Sequence, residues 1–273
     1  MPYKTIVVHV DGSAQAATRI ALAARLALRH DAHLVGAALT GVSRLFYQEG
    51  SAALVRTALA PWMDRLYRRC ERELDQFARL AAQAGVSSFE PRLVDDESGA
   101  GLVLCGRYAD LVVLGQADPD VAPAPGGALA PYVMLACPRP LLLLPHGHEG
   151  LLAGRRVLIA WNGSVQAAHA VSAALPLLGQ AESVTVASFA PSNGAAGDIG
   201  VAAWLKRHGI DAALVAEATD LDPGERLLSL LADQGADLLV MGGYARARVR
   251  ELLLGGVTRT VLRGMTVPVL LAH

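Results

Sequence analysis

The chain has 273 residues, is 53% apolar and 18% charged, and carries a formal net charge of -1. That is length enough for two compact domains and too apolar for disorder, and the near-neutral balance supplies no global field to draw in nucleic acid or an anionic membrane. No apolar run approaches the roughly 18 residues of a membrane span, and the three dispersed cysteines, with no CxxC, suit reduced thiols in a cytoplasmic protein rather than a disulfide framework or a zinc site.

In chain order, short apolar runs bounded by turn residues predict strands buried on both faces of a parallel sheet. The first five are Thr5–Val10, His33–Leu39, Phe89–Val94, Leu111–Leu114 and Pro140–Leu144. The next five are Arg156–Trp161, Ser183–Phe189, Ala212–Ala216, Leu238–Met241 and Val267–Leu271. The run before Asp11 is too short for a signal-peptide core. Between the strands lie helical patterns. Leu66, Cys70, Leu74, Phe77 and Ala81 recur at spacings of three and four as one apolar stripe, with Arg65, Arg68, Arg69 and Arg72 off it, read as a solvated face. Gly85 and Gly209 are expected to end helices in the left-handed conformation. Asp222-Pro223-Gly224-Glu225 has the cap, first-turn proline and capping-box spacing of a helix start. Pro145 to Gly150 reads as a linker, and its His146, His148 and Glu149 as solvated rather than metal-binding.

The chain repeats itself. Ala109-Asp110-Leu-Val-Val-Leu-Gly115 returns as Ala236-Asp237-Leu-Leu-Val-Met-Gly242, an offset of 127. Pro140-Leu-Leu-Leu-Leu returns from Pro268 at an offset of 128, and Asp11-Gly12-Ser13 as Asn162-Gly163-Ser164 at 151. Three matches in one order imply a duplicated domain, 1–145 and 151–273, with extra residues in the first copy between its first and fourth strands. Strand–helix alternation gives each copy right-handed βαβ units and an open, doubly wound sheet, whose ligands bind beyond the carboxyl ends of the strands where strand order reverses.

Two loops of the second copy fall at that edge. Asn162, Gly163 and Ser164 follow the first strand; they can meet a ribose or base, or form an ordinary turn with Ser164 capping the helix. Met241, Gly242, Ala245, Arg246, Gly255, Gly256, Val257 and Thr258 belong to a loop whose glycines let backbone N–H groups approach phosphate and whose end opens a helix. No GxxxxGK[ST] and no GxGxxG after a first strand occurs.

These residues resemble the tandem universal stress proteins, over nearly the whole chain in two copies. The resemblance implies five-stranded parallel sheets of order 3-2-1-4-5, in the adenine nucleotide alpha hydrolase-like class. It also implies ATP binding through an acidic residue after strand one and a G-x-x-G, nine-residue, G-Ser/Thr loop. Here Asn162 stands in the acidic position, Gly242 at the first glycine, Ala245 at the second, Gly255 at the third and Gly256 at the hydroxyl position, with Thr258 two residues on. The first copy keeps Asp11-Gly12-Ser13 but has Asp118 and Asp120 in place of a phosphate loop, and is expected to serve packing or partner contact.

The expected function is a cytoplasmic stress-response module that binds ATP, ADP or AMP in the second copy, with no catalytic residues, no metal ligands and at most slow hydrolysis. The alternative is a nucleotide-independent scaffold for a protein partner. An adenylating ligase would need an SGGxDS-like loop that neither copy supplies. The last strands are expected to pair within the chain, and a homodimer is left open.

Overall fold

The computed structural model describes residues 2–43, 52–117, 128–148, 154–190, 200–218, 222–243 and 256–273. They form two compact units, Pro2–Arg139 and Pro140–His273. The first unit runs β1 (Thr5–Val10), α1 (Ala16–His30), β2 (His33–Leu39), α2 (Ala52–Gln83), β3 (Phe89–Val94), α3 (Ser98–Gly106), β4 (Leu111–Gly115) and α4 (Leu129–Ala136). Its strands lie in the order β3-β2-β1-β4, all parallel. The second unit runs β5 (Leu141–Leu144), β6 (Arg156–Ala160), α5 (Val165–Leu178), β7 (Ser183–Ala190), α6 (Gly200–Arg207), β8 (Ala212–Ala218), α7 (Pro223–Asp233), β9 (Leu238–Gly242), α8 (Val257–Gly264) and β10 (Val269–Ala272). There the order is β5-β10-β9-β6-β7-β8, parallel except that β5 runs antiparallel to β10, with Leu142 opposite Leu270.

The central strands are the apolar runs of the sequence. Ile6, Val8, Leu34, Leu111, Leu158, Leu239 and Leu270 have no exposed surface. Burial on both faces follows from helices on both sides of a parallel sheet. The amino ends of the paired strands are tied by the two repeated aspartates. Asp110 Oδ2 accepts Lys4 N at 2.7 Å and Thr5 N at 3.0 Å. Asp237 accepts Gly154 N, Arg155 N and Arg156 N at 2.9–3.1 Å. The Ala-Asp repeat therefore joins the fourth strand to the start of the first, at the amino ends of the strands.

The extra residues of the first unit lie mainly in α2. The chain from β2 to β3 (residues 40–88) holds this 32-residue helix, whereas residues 191–211 separate β7 from β8 and carry the eight-residue α6. Phe77 seats α2 on the sheet: a Cβ at Gly36 would lie 2.5 Å from the Phe77 ring, so only glycine in β2 admits it. Cys70, Phe77 and Ala81 of the predicted stripe are wholly buried. Gly85 and Gly209 end α2 and α6 with φ of 86° and 75°. Asp222 caps α7 through Gly224 N at 3.1 Å, one residue short of the Glu225 amide that a capping box would use, while its other oxygen takes Thr260 Oγ1 at 2.9 Å. Among the described residues, no helix is long and apolar enough to cross a membrane.

Candidate functional site

Strand order reverses between β6 and β9 in the second unit and between β1 and β4 in the first. Both crevices can be built from their residues. In the second unit, β6 ends at Ala160 and the chain turns through Asn162 and Gly163, the latter with φ of 71°. Asn162 Oδ1 accepts Ser164 N at 3.1 Å and Ser164 Oγ at 2.7 Å. Ser164 Oγ in turn accepts Ala167 N at 3.2 Å and caps α5. The loop is thus a side-chain-braced turn that delivers a helix start to the sheet edge.

Across the crevice, β9 ends at Gly242. A Cβ there would stand 2.5 Å from Ala167 N and 2.6 Å from Gln166 C, so the glycine is what lets the end of β9 touch the first turn of α5. The end of β9 therefore meets the first turn of α5, the helix that the Asn162–Ser164 turn opens. Met241 itself is buried. Ala245, Arg246 and Gly255 lie outside the described residues. Gly256 stands at the cap position of α8 and makes no side-chain cap bond of the kind Ser164 makes at α5. Thr258 is buried in that first turn, 4% exposed. Trp161 Nε1, at the end of β6, is buried without a hydrogen-bond partner among the described residues.

The first unit is different in kind. Its β1–β4 crevice is filled by Arg19 of α1, a side chain only 3% exposed. Arg19 Nε donates to His9 O at 2.8 Å and Nη2 to Asp11 Oδ1 at 2.8 Å. A Cβ at Gly115 would lie 2.6 Å from Arg19 Nη1, so the glycine ending β4 makes room for the guanidinium. Asp11 Oδ1 also accepts Ser13 N at 3.0 Å and Ser13 Oγ at 2.5 Å. Burial works against the Asp11 charge, but Arg19, His9 and the Ser13 bonds outweigh it and hold the carboxyl at about 2. His9 is pushed down to about 4, first by burial and then by Arg19, against the pull of Asp11.

Beside Arg19 a cavity of about 330 Å³ opens at the ends of β1 and β2, reached by His9, Asp11 and Leu39 and roofed by Arg69 and Glu73 of α2, with Ser98 of α3 at its side. Arg69, expected on a solvated face, instead donates Nη2 to Leu39 O at 2.8 Å. Glu73 is 8% exposed; burial raises its carboxyl, Arg69 opposes, and the neighbouring Asp11 charge raises it further. Arg19 and Glu73 escaped the sequence reading although their spacing held the signal. Arg19 falls between Ala16 and Ala23 on the apolar face of α1, and Glu73 between Cys70 and Phe77 on that of α2. A charge inside an apolar stripe requires a buried partner. The predicted phosphate-opposing residues Asp118 and Asp120 lie outside the described residues. Among the described residues, no three His, Cys, Asp or Glu side chains are grouped to hold a metal ion.

A model of the universal stress protein family matches residues 154–273, which span nearly all of the second unit. A universal stress protein of Synechocystis is 28% identical over 172 residues, 59% of this chain and 57% of that protein. One from Methanocaldococcus jannaschii is 35% identical over 48 residues, 18% of this chain and 30% of that protein. The chain therefore spans little more than half of the first relative and under a third of the second. Among solved structures, a universal stress protein of Archaeoglobus fulgidus overlies 98% of this chain and 95% of its own with a TM-score of 0.76 at 15% identity. At that identity the likeness establishes the fold alone.

Proposed function

The chain belongs, through residues 154–273, to the universal stress protein family, and from that premise we propose that its second unit is an adenine-nucleotide-binding stress-response module with little or no catalysis. The observation that carries this reading is the close approach of the end of β9 to the first turn of α5, the helix opened by the Asn162–Ser164 turn, made possible by the missing Cβ of Gly242. It sits at the crevice where strand order reverses, the place where open α/β sheets take ligands. The start of α8, with the positive end of its dipole, favours an anion, and the unpartnered Trp161 indole N–H offers a donor to a base or ribose. The reading takes ATP, ADP or AMP as the ligand, with Ala245, Arg246, Gly255 and Gly256 assigned to its phosphates by the sequence motif alone. We read 1–145 and 151–273 as two copies of one domain working in the cytoplasm, the first without a phosphate loop.

Equilibrium titration of the full chain with ATP, ADP and AMP tests the reading. Saturable binding, weakened at least tenfold in Asn162→Ala or in Gly256→Asp, which sets a negative charge at the α8 start, is the expected result. A folded protein that shows no saturation at millimolar nucleotide refutes it and leaves the nucleotide-independent scaffold.

A further inference from the structure

The strand β8 has the composition of a buried strand but is exposed. It closes the strand order of the second unit, with β7 on one side, and among the described residues no strand pairs with its other edge. Its first five residues, Ala-Ala-Leu-Val-Ala from Ala212, include no charge, glycine or proline. Yet Ala213, Leu214 and Ala216 are exposed, Leu214 by 48%. The one charge in the strand, Glu217, accepts Arg226 Nε at 2.7 Å and Nη2 at 2.9 Å. Open edges are ordinarily guarded by charged side chains, by proline or by a covering element. The outer strand of the first unit has all three: Glu90 and Arg92 pair on it, Pro91 interrupts its donors, and Phe77 of α2 packs on its Phe89. The edges of β5 and β10 are paired with each other. On β8 only the neutralised Glu217 interrupts the apolar run, and the link before it carries the eight-residue α6 where the first unit has α2.

We propose that β8 is a self-association surface, on which β8 of a second copy of this chain pairs antiparallel about a twofold axis at Val215. Alanines, a leucine and a valine give this edge no side chain with which to select a foreign strand, and they meet no like charge when they meet themselves. With Val215 opposite its own copy, Leu214 falls opposite Ala216, large against small, and Glu217 falls opposite Ala213. With Leu214 on the axis instead, Glu217 would stand directly opposite the exposed Asp211 of the other chain at both ends, and like charges so placed repel. The pairing at Val215 gives the open backbone groups of the edge their partners, covers its apolar side chains and closes at two chains. A single strand pair is at the small end of specific interfaces, so the association belongs in the micromolar range.

Sedimentation equilibrium of the full chain, from about one to several hundred micromolar, tests this. The wild type should form a dimer that dissociates on dilution. Leu214→Lys with Ala216→Lys sets lysine opposite lysine in both pairs, and Leu214→Glu with Ala216→Glu does the same with glutamate. Each double variant alone should associate at least tenfold more weakly, with unchanged far-UV circular dichroism, because both positions are exposed. Mixed in equal amounts, the two variants should dimerise again as a pair of opposite charges. A wild type that stays monomeric over this range, a dimer that the lysine variant leaves intact, or folded variants that fail to recover on mixing overturns the proposal. Hydrogen exchange of the wild type decides it without any variant: the β8 amides that face away from β7 should gain protection as concentration rises while β3 amides do not, and unchanged exchange in β8 overturns it. Because β7 separates β8 from the β6–β9 crevice, nucleotide binding can fail without touching this result.

Discussion

The two units carry matched differences at single residues. His9, Asp11 and Arg19 of the first stand at the positions of Ala160, Asn162 and Ala170 in the second, all at the offset of 151. The charged carboxylate and its buried cation are present together or absent together, which is the behaviour of an obligatory pair: removing one partner leaves a charge in a place water cannot reach. Asn162, the counterpart of Asp11, accordingly stands before a helix without an arginine, since Ala170 is wholly buried and offers nothing for a carboxylate to hold. Asp11→Asn alone should destabilise the first unit by about 3–5 kcal/mol, the typical loss when half of a buried pair is removed. Adding Arg19→Ala recreates the neutral combination of the second unit, so the double variant should lose clearly less than the two single variants together. Urea unfolding of the four proteins measures this, and strict additivity would show that Asp11 and Arg19 are not coupled. In Arg19→Ala the His9 titration, followed by NMR, should also move upward, because a nearby cation that disfavours imidazolium is gone.

At the level of elements, the capped turns and glycine contacts carry the packing. Ser164→Ala removes the cap of α5 and the hydroxyl that Asn162 accepts, and should lower stability by about 1 kcal/mol in chemical denaturation. An unchanged midpoint would mean that solvent satisfies the Ala167 amide equally well. Gly36→Ala puts a methyl against the Phe77 ring and should cost about 1–3 kcal/mol, and Phe77→Leu, with a smaller side chain over the strand, should make the second substitution less harmful. The reverse, a larger penalty in the Phe77→Leu background, would place the strain elsewhere. The apolar runs made most of these elements readable from sequence: β1, β2 and β3 have the predicted bounds, and in β1 and β2 continuous burial is written directly into residue type, whereas β3, an outer strand, is only partly buried. The last strand begins at Val269 rather than Val267, since Pro268 lacks an N–H and contributes only its carbonyl, to Leu239 N. Asn162–Ser164 and Gly242 were legible because turn chemistry is local. For Arg19 and Glu73 the sequence held only the sign of burial, a charge inside an apolar stripe, while their partners depend on which backbone and which carboxylate the fold brings beside them.

For the whole molecule, the consequence is an uneven distribution of buried charge. Among the described residues, the buried ionisable side chains His9, Arg19, His30, Glu73 and Asp96 all belong to the first unit, and the second buries only the neutral Thr258 from this class. The pH response should divide accordingly. His9 has a folded value of about 4 against an ordinary 6.5, so the unfolded chain binds the extra proton in that window and the first unit loses stability as pH falls from 6.5 toward 4. The full shift corresponds to about 3 kcal/mol. His30, also lowered by burial, acts in the same direction below 6.5. Asp11 adds a further loss as pH falls from 3.8 to about 2. Glu73 opposes part of this: its raised folded value means that the folded unit takes up the proton first, a contribution present at low pH and lost as pH rises through the folded value. Hydrogen exchange followed from pH 7 to pH 4 should therefore show amides of β1 and β2 losing protection while those of β6 and β9 keep it, after correction for the intrinsic exchange rate. His9→Gln, which removes the largest of these proton-linked losses, should flatten the response of the first unit alone. Equal loss of protection in both units would mean that acid stability is set by surface charge, and that the buried cluster around Asp11 has no special share in it.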